Sequence, residues 1–255
     1  MSDFVIIPDT SCDLTADLRE RFDIPDYLKG VIYFPDGRNE YASLDWDYFT
    51  PTEFYNSMSK KNSLYKTATP TIGHITELWE QYLNDGKDIL CITLSSGLSG
   101  TYQTCLLVQN KLAPLYPERK IICIDSLRYS TALSLLVMLA SMQKANGATI
   151  EETAAYLEAN KHRIHQIGPM DDLFFLMKTG RVSTPAAFFG TLIGINPVAD
   201  FNRQGRSEVL YKFKGKRSAL QASLEYMKAT IENPAEQTIF VAHSNRKKRQ
   251  NCLLI

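Results

Sequence analysis

The stretch Ser95-Ser96-Gly97-Leu98-Ser99-Gly100-Thr101-Tyr102 concentrates two glycines and four serine or threonine hydroxyls where an apolar run, residues 89–94, gives way to helical spacing. Three chemistries use such a corner. A P-loop needs G-x-x-x-x-G-K-[ST] and a dinucleotide fingerprint needs G-x-G-x-x-G. Gly97 and Gly100 satisfy neither, and no lysine follows, so nucleotide binding is disfavoured. A nucleophile elbow reads G-x-S-x-G between strand and helix. Here the second glycine falls one position early, although Ser99, Asp200 and His243 occur in the chain order of an α/β-hydrolase triad. The third chemistry is an anion held by hydroxyls and free backbone N–H groups at a helix start, with no reaction. A carboxylate is singly charged and suits neutral donors. Ser96, Gly97 and Ser99 are the expected ligand-binding residues of this corner, and the hydrolase reading stands as the alternative.

A second corner, Lys66-Thr67-Ala68-Thr69-Pro70-Thr71, also sets hydroxyls before a helical pattern. Capping is the simpler role for Thr71. For Ser96, Gly97, Ser99 and Thr101 together it is less sufficient, because one helix needs one cap.

The elements that must position these residues alternate. Residues 4–7, 89–94 and 121–124 read as strands. Residues 13–22, 72–83, 99–112, 130–144 and 150–163 read as helices, with capping boxes at Thr50–Glu53 and Thr149–Glu152. Runs at 28–34 and 38–41 flank Pro35-Asp36-Gly37, a hairpin signal. Such alternation implies a Rossmann-like α/β domain with a mostly parallel sheet and crossover helices. After His165 the character changes. Two short apolar helices (171–177 and 184–193), a hairpin (197–201 with 207–213), an amphipathic helix (218–231) and a strand (238–242) make an α+β pattern. The expected domains are 1–165 and 166–255. The apolar segments 173–177 and 186–195 read as core that could also line a pocket for a long apolar ligand.

With 255 residues, 44% hydrophobic and 22% charged, the composition is that of a soluble globular protein. The 28 basic and 28 acidic residues cancel, so no global field favours nucleic acid or an anionic membrane. No apolar run reaches the ~18 residues of a membrane span, and 132–142 comes nearest. The first residues read as a strand and not as a signal peptide. Five cysteines without C-x-x-C spacing read as free thiols in a reducing cytoplasm, which also argues against a structural zinc.

Together, Asp9-Thr10-Ser11-Cys12-Asp13, Thr67-Ala68-Thr69-Pro70-Thr71, the SSGLSGTY corner, Gly180-Arg181-Val182-Ser183 and Ala242-His243-Ser244-Asn245 occur in the order and rough spacing of the DegV family. The chain resembles that family over nearly its whole length. The resemblance implies a two-domain protein that binds a long-chain fatty acid as ligand, needs no cofactor or metal and has no catalysis of its own. It further implies the role of acyl-carrying subunit of a bacterial fatty acid kinase. A separate catalytic subunit would phosphorylate the carboxylate, and the acyl phosphate would enter phospholipid synthesis. By the same resemblance Thr67 and Ser99 hold the carboxylate and His243 lies near the head group. Arg181 is implied to help present the head group or to meet the kinase. Two departures stand out. The family's T-S-Q-P-S reads T-A-T-P-T here, and family members usually continue past the late histidine. The second domain is therefore expected to be truncated and the less stable of the two, with 244–255 poorly ordered or borrowed into a neighbouring contact.

Overall fold

The computed structural model describes residues 3–58, 60, 64–170, 181 and 194–243. A parallel sheet forms the centre. Strands β1 (Phe4–Pro8) and β6 (Ile121–Asp125) pair on either side of β5 (Asp88–Thr93), in the order β1-β5-β6. β1 and β5 are buried throughout, as befits strands covered on both faces. Side chains alternate between two cores. Phe4, Ile6, Leu90 and Ile92 face α5 (Ser130–Ala145) and α6 (Ile150–Asn160). Val5, Ile7, Ile89 and Cys91 face α3 (Ile72–Asn84) and α4 (Thr101–Leu112), where Trp79 is fully buried.

The apolar run at 132–142 is the buried heart of α5. Its serines are satisfied within the protein: Ser134 donates to the Cys12 carbonyl and Ser141 to the Phe22 carbonyl at 2.6 Å. No helix among the described residues is long and apolar enough to cross a membrane. Cys12, Cys91 and Cys105 are buried free thiols and Cys123 is half-buried; Cys252 lies outside the described residues.

Between β1 and α3 the chain inserts α1 (Ala16–Arg21) and an antiparallel sheet of three strands. The predicted hairpin is β2 (Val31–Tyr33) with β3 (Asn39–Tyr41). The strand β4 (Lys66–Ala68) pairs with β2 on the other side and was not expected. Helix α2 (Pro51–Met58) begins with the predicted box, Glu53 N–H donating to Thr50 Oγ1 and Thr50 N–H to Glu53 Oε2. The helix expected from residue 13 starts instead at Ala16. Residues 10–12 form a 3-10 turn, and Asp13 takes a left-handed φ of 52° that no helix can contain.

Beyond α6 a third sheet orders β7 (Gly168–Pro169), β8 (Ile195–Phe201) and β9 (Ser207–Lys214), all antiparallel, with α7 (Lys216–Thr230) packed on it. The fold is thus the expected two-domain α/β arrangement. The strand expected at 238–242 does not form. Its residues follow a 3-10 turn (Pro234–Glu236) as irregular chain, with Ile239 and Val241 exposed. A strand exists by pairing, and this one has no ladder among the described residues. The helices expected at 171–177 and 184–193, and the tail 244–255, lie outside the described residues.

Candidate functional site

Open parallel sheets place ligands beyond the carboxyl ends of their strands. Here those ends carry Asp9 after β1, Ser95 after β5 and Ser126 after β6. Asp9 is buried; its Oδ1 accepts from Ser11 N–H and its Oδ2 from Leu94 N–H, both at 2.7 Å. Burial pushes its carboxyl above the usual range, while those backbone donors pull the other way. Asp125 at the end of β6 accepts from Ser96 N–H and Leu127 N–H at 3.1 Å each. Two carboxylates thereby fix the loop after β5 from both sides.

The hydroxyls of the SSGLSGTY corner divide their work. Ser95 is buried, donates to the Gly205 carbonyl at 2.6 Å and accepts from Gly97 N–H at 3.1 Å. Gly205 belongs to the β8–β9 turn, so Ser95 grips the second domain. Gly97 is pressed against the same turn: a Cβ there would stand 2.6 Å from the Gln204 carbonyl oxygen and 2.8 Å from that of Gly205. Glycine at 97 is thus required for docking. Ser99 Oγ lies 2.9 Å from Thr101 Oγ1 and accepts from Thr101 N–H at 3.3 Å. Gly100, which has no side chain to cap with, is the N-cap of α4. Ser96 and Gly97, with Asn202, Gln204 and Arg206, line a polar cleft of ≈ 450 Å³ between corner and turn.

Thr67 lies on β4, exposed at the edge of its sheet and paired with Ile32. The end of this strand reaches the first corner, since Thr69 Cγ2 is 3.8 Å from where a Cβ on Gly100 would be. Gly30 packs against the Ala68 carbonyl, 2.9 Å from a built Cβ, and Thr10 Oγ1 is 3.9 Å from the same point. Thr71 caps α3, accepting from His74 N–H at 3.1 Å, as expected. Hydroxyl-bearing segments after β1, β4 and β5 therefore converge at one edge. His243 is half-buried in irregular chain and Arg181 is exposed. Residues 173–177 and most of 186–195 lie outside the described residues.

Two members of the alternative reading's triad are engaged elsewhere. Asp200 is bound to His165, Nδ1 to Oδ2 at 2.6 Å, and Ser99 turns to Thr101. Sequence reasoning took up Ser95 and Asp9 only as parts of their motifs, without their roles, and missed His165 and Gly205. Among the described residues no group of three His, Cys, Asp or Glu side chains is placed to hold a metal ion.

These features define an open α/β protein whose candidate site is the carboxyl edge of its parallel sheet, against the turn of a second domain. The signature of the DegV family of uncharacterised proteins matches residues 3–253, and the chain belongs to that family. A DegV domain-containing protein of Clostridium perfringens is 33% identical over 245 residues, covering 96% of this chain and 83% of the relative. A fatty-acid-binding DegV family protein from Thermus thermophilus superposes with a TM-score of 0.79 at 25% identity, covering 91% of this chain and 79% of that one. A DegV lipid-binding protein from Thermotoga maritima gives 0.75 at 25% identity, covering 89% and 77%. A DegV family structure from Ruminococcus gnavus, refined with vaccenic acid, gives 0.84 over 97% and 86% of the two chains; at 22% identity that likeness is one of fold.

Proposed function

We propose that this protein binds a long-chain fatty acid, with Thr67 and Ser99 hydroxyls holding the carboxylate at the sheet edge. The observation that carries the reading is the meeting of the two hydroxyl corners, Thr69 beside Gly100 at the start of α4. A helix start and neutral hydroxyls suit a single negative charge. The relatives from Thermus thermophilus and Thermotoga maritima, described as fatty-acid- and lipid-binding, support the choice of ligand. The cleft at Ser96 is lined by polar side chains and glycine, so it suits a head group and not a chain. The acyl chain is assigned to the apolar segments 173–177 and 186–195, within a second domain spanning 166–255 beside a first of 1–165. In this reading His243 and Arg181 serve the head group. The protein carries its ligand without transforming it and hands it, in a bacterial cytoplasm, to a separate kinase subunit for phosphorylation on the way to phospholipid.

Organic extraction of the purified protein followed by mass spectrometry is the direct test, and a co-purifying long-chain fatty acid is expected. Each of Thr67→Ala and Ser99→Ala removes a hydrogen bond to a charged group, worth about 1.5–3 kcal/mol, so affinity should fall about tenfold or more. No bound lipid and no rebinding to delipidated protein would overturn the assignment. Wild-type affinity in both variants would move the head group elsewhere.

A further inference from the structure

The chain passes from the parallel-sheet domain to the second domain through a strap at residues 164–167, tied to both sides. On the first side Arg128, a buried side chain in the loop after β6, donates from Nε to the Ile164 carbonyl at 2.6 Å. On the second side Asp200 of β8 collects the strap with both oxygens. Its Oδ1 accepts from Gln166 N–H at 2.8 Å and from Phe201 N–H at 2.7 Å, and its Oδ2 meets His165 Nδ1 at 2.6 Å. The two side chains differ in access: Asp200 is 7% exposed and His165 44% exposed. The carboxylate is therefore a fixed internal anchor, and the imidazole is the group within reach of protons.

We propose that His165 and Asp200 form a pH-sensitive latch between the two domains, closed most firmly when His165 is protonated and loosened as it loses its proton. The groups facing the ring from each side favour this reading. Asp200 supplies the negative partner from β8. Tyr226 of α7 meets the ring edge-on, centroids 5.8 Å apart, with its own phenol pKa pushed up by burial, and Tyr211 of β9 packs behind Tyr226 at 6.2 Å. Arg128 is the cation that opposes protonation, and Arg163, just before the strap, pairs with Glu232 at 3.1 Å. The hydrogen bond to Asp200 raises the His165 pKa above the ordinary histidine value, against burial and Arg128. Burial pushes the Asp200 carboxyl up, but the bonds from His165, Gln166 and Phe201 outweigh it and leave its pKa lowered. Asp200 thus stays ionised while His165 titrates. A raised folded-state value means that the latch contributes fully below the free histidine pKa and is lost as pH climbs through the raised one. Neutral His165 can still donate from Nδ1, without the charge that strengthens the bond. If the proposed fatty-acid site is right, opening at this strap sets how readily ligand enters between the domains.

The test needs no ligand, so it fails or succeeds independently of that reading. Ring-proton NMR of the intact protein should show His165 titrating above the free value, and Asp200→Asn should bring it back. His162 is a control in the same spectrum: burial and the nearby cations Arg128, Lys161 and Arg203 hold its pKa down. Hydrogen exchange at amides 164–168, 170 and 202–206, corrected for intrinsic rate, should show more frequent opening as pH rises from below the free histidine value through the raised one. Linkage fixes the size: each pKa unit of elevation in the NMR titration requires about a tenfold rise in opening. His165→Gln keeps a neutral hydrogen bond on a half-exposed position and should abolish the pH dependence. A titration at or below the free value, or the same pH-dependent opening in His165→Gln, would overturn the latch.

Discussion

A Cβ added to Gly205 would stand 2.0 Å from Ser95 Oγ and 3.0 Å from Leu127 Cα, on a backbone with φ +68°. Strain in that conformation costs roughly 1–2 kcal/mol and the overlap roughly 1–3 more. Gly205→Ala should therefore lower the urea midpoint more than Ser95→Ala, which leaves the buried Gly205 carbonyl without its donor at about 1–3 kcal/mol. An equal or milder effect of Gly205→Ala would mean that the turn can shift away. The neighbouring Ser99 should behave as an ordinary hydroxyl. With Thr101 as its partner, it should not label with a fluorophosphonate; stoichiometric labelling would revive hydrolase chemistry. The sequence made the excess of hydroxyls at this corner legible, since one helix needs one cap. It could not say which hydroxyl serves the fold, because the partner of Ser95 lies 110 residues away.

At the scale of elements, what rests on local spacing was readable and what rests on distant pairing was not. The boxes Thr50–Glu53 and Thr149–Glu152 form as expected, each a three-residue reach within one helix start. Strand β4 escaped notice because its residues are exposed and only β2 makes them a strand. Residues 238–242 erred the other way, β-branched and apolar enough for a strand but without a ladder. The inserted sheet and α2 are held by rings: Phe34 lies 5.4 Å from Phe49, 5.7 Å from Tyr65 and 6.0 Å from Tyr48, and α2 buries no residue fully. Removing the central ring should cost about 3–5 kcal/mol, more than so small a lobe can absorb while staying closed. Phe34→Ala should speed hydrogen exchange across β2, β3 and α2 and leave β1, β5 and β6 protected. A uniform loss of protection over both sheets would show that the lobe and the parallel sheet open as one.

Over the whole molecule the charges cancel, but 1–165 holds 15 basic and 21 acidic residues while 166–255 holds 13 and 7, so opposite net charges draw the two domains together within a screened range. Their junction rests on close contacts of two kinds: the strap at Arg128, His165 and Asp200, and the β8–β9 turn seated on the SSGLSGTY corner. The second is a backbone-to-backbone fit that a side chain cannot share. A Cβ at Gly97 would meet the Gln204 and Gly205 carbonyls and stand 3.0 Å from Arg206 Cγ; two of these three neighbours are main chain and cannot rotate aside. The three nearest neighbours of that Cβ all belong to the β8–β9 turn, so a larger residue should strike the junction first. Gly97→Val is expected to keep near-native helical circular dichroism and the fast-protected amides of β1, β5 and β6. Its radius of gyration by small-angle scattering should rise as the turn is lifted off, with faster exchange at 202–206. An unchanged scattering profile with an undisturbed turn would show that the strap alone sets the domain spacing.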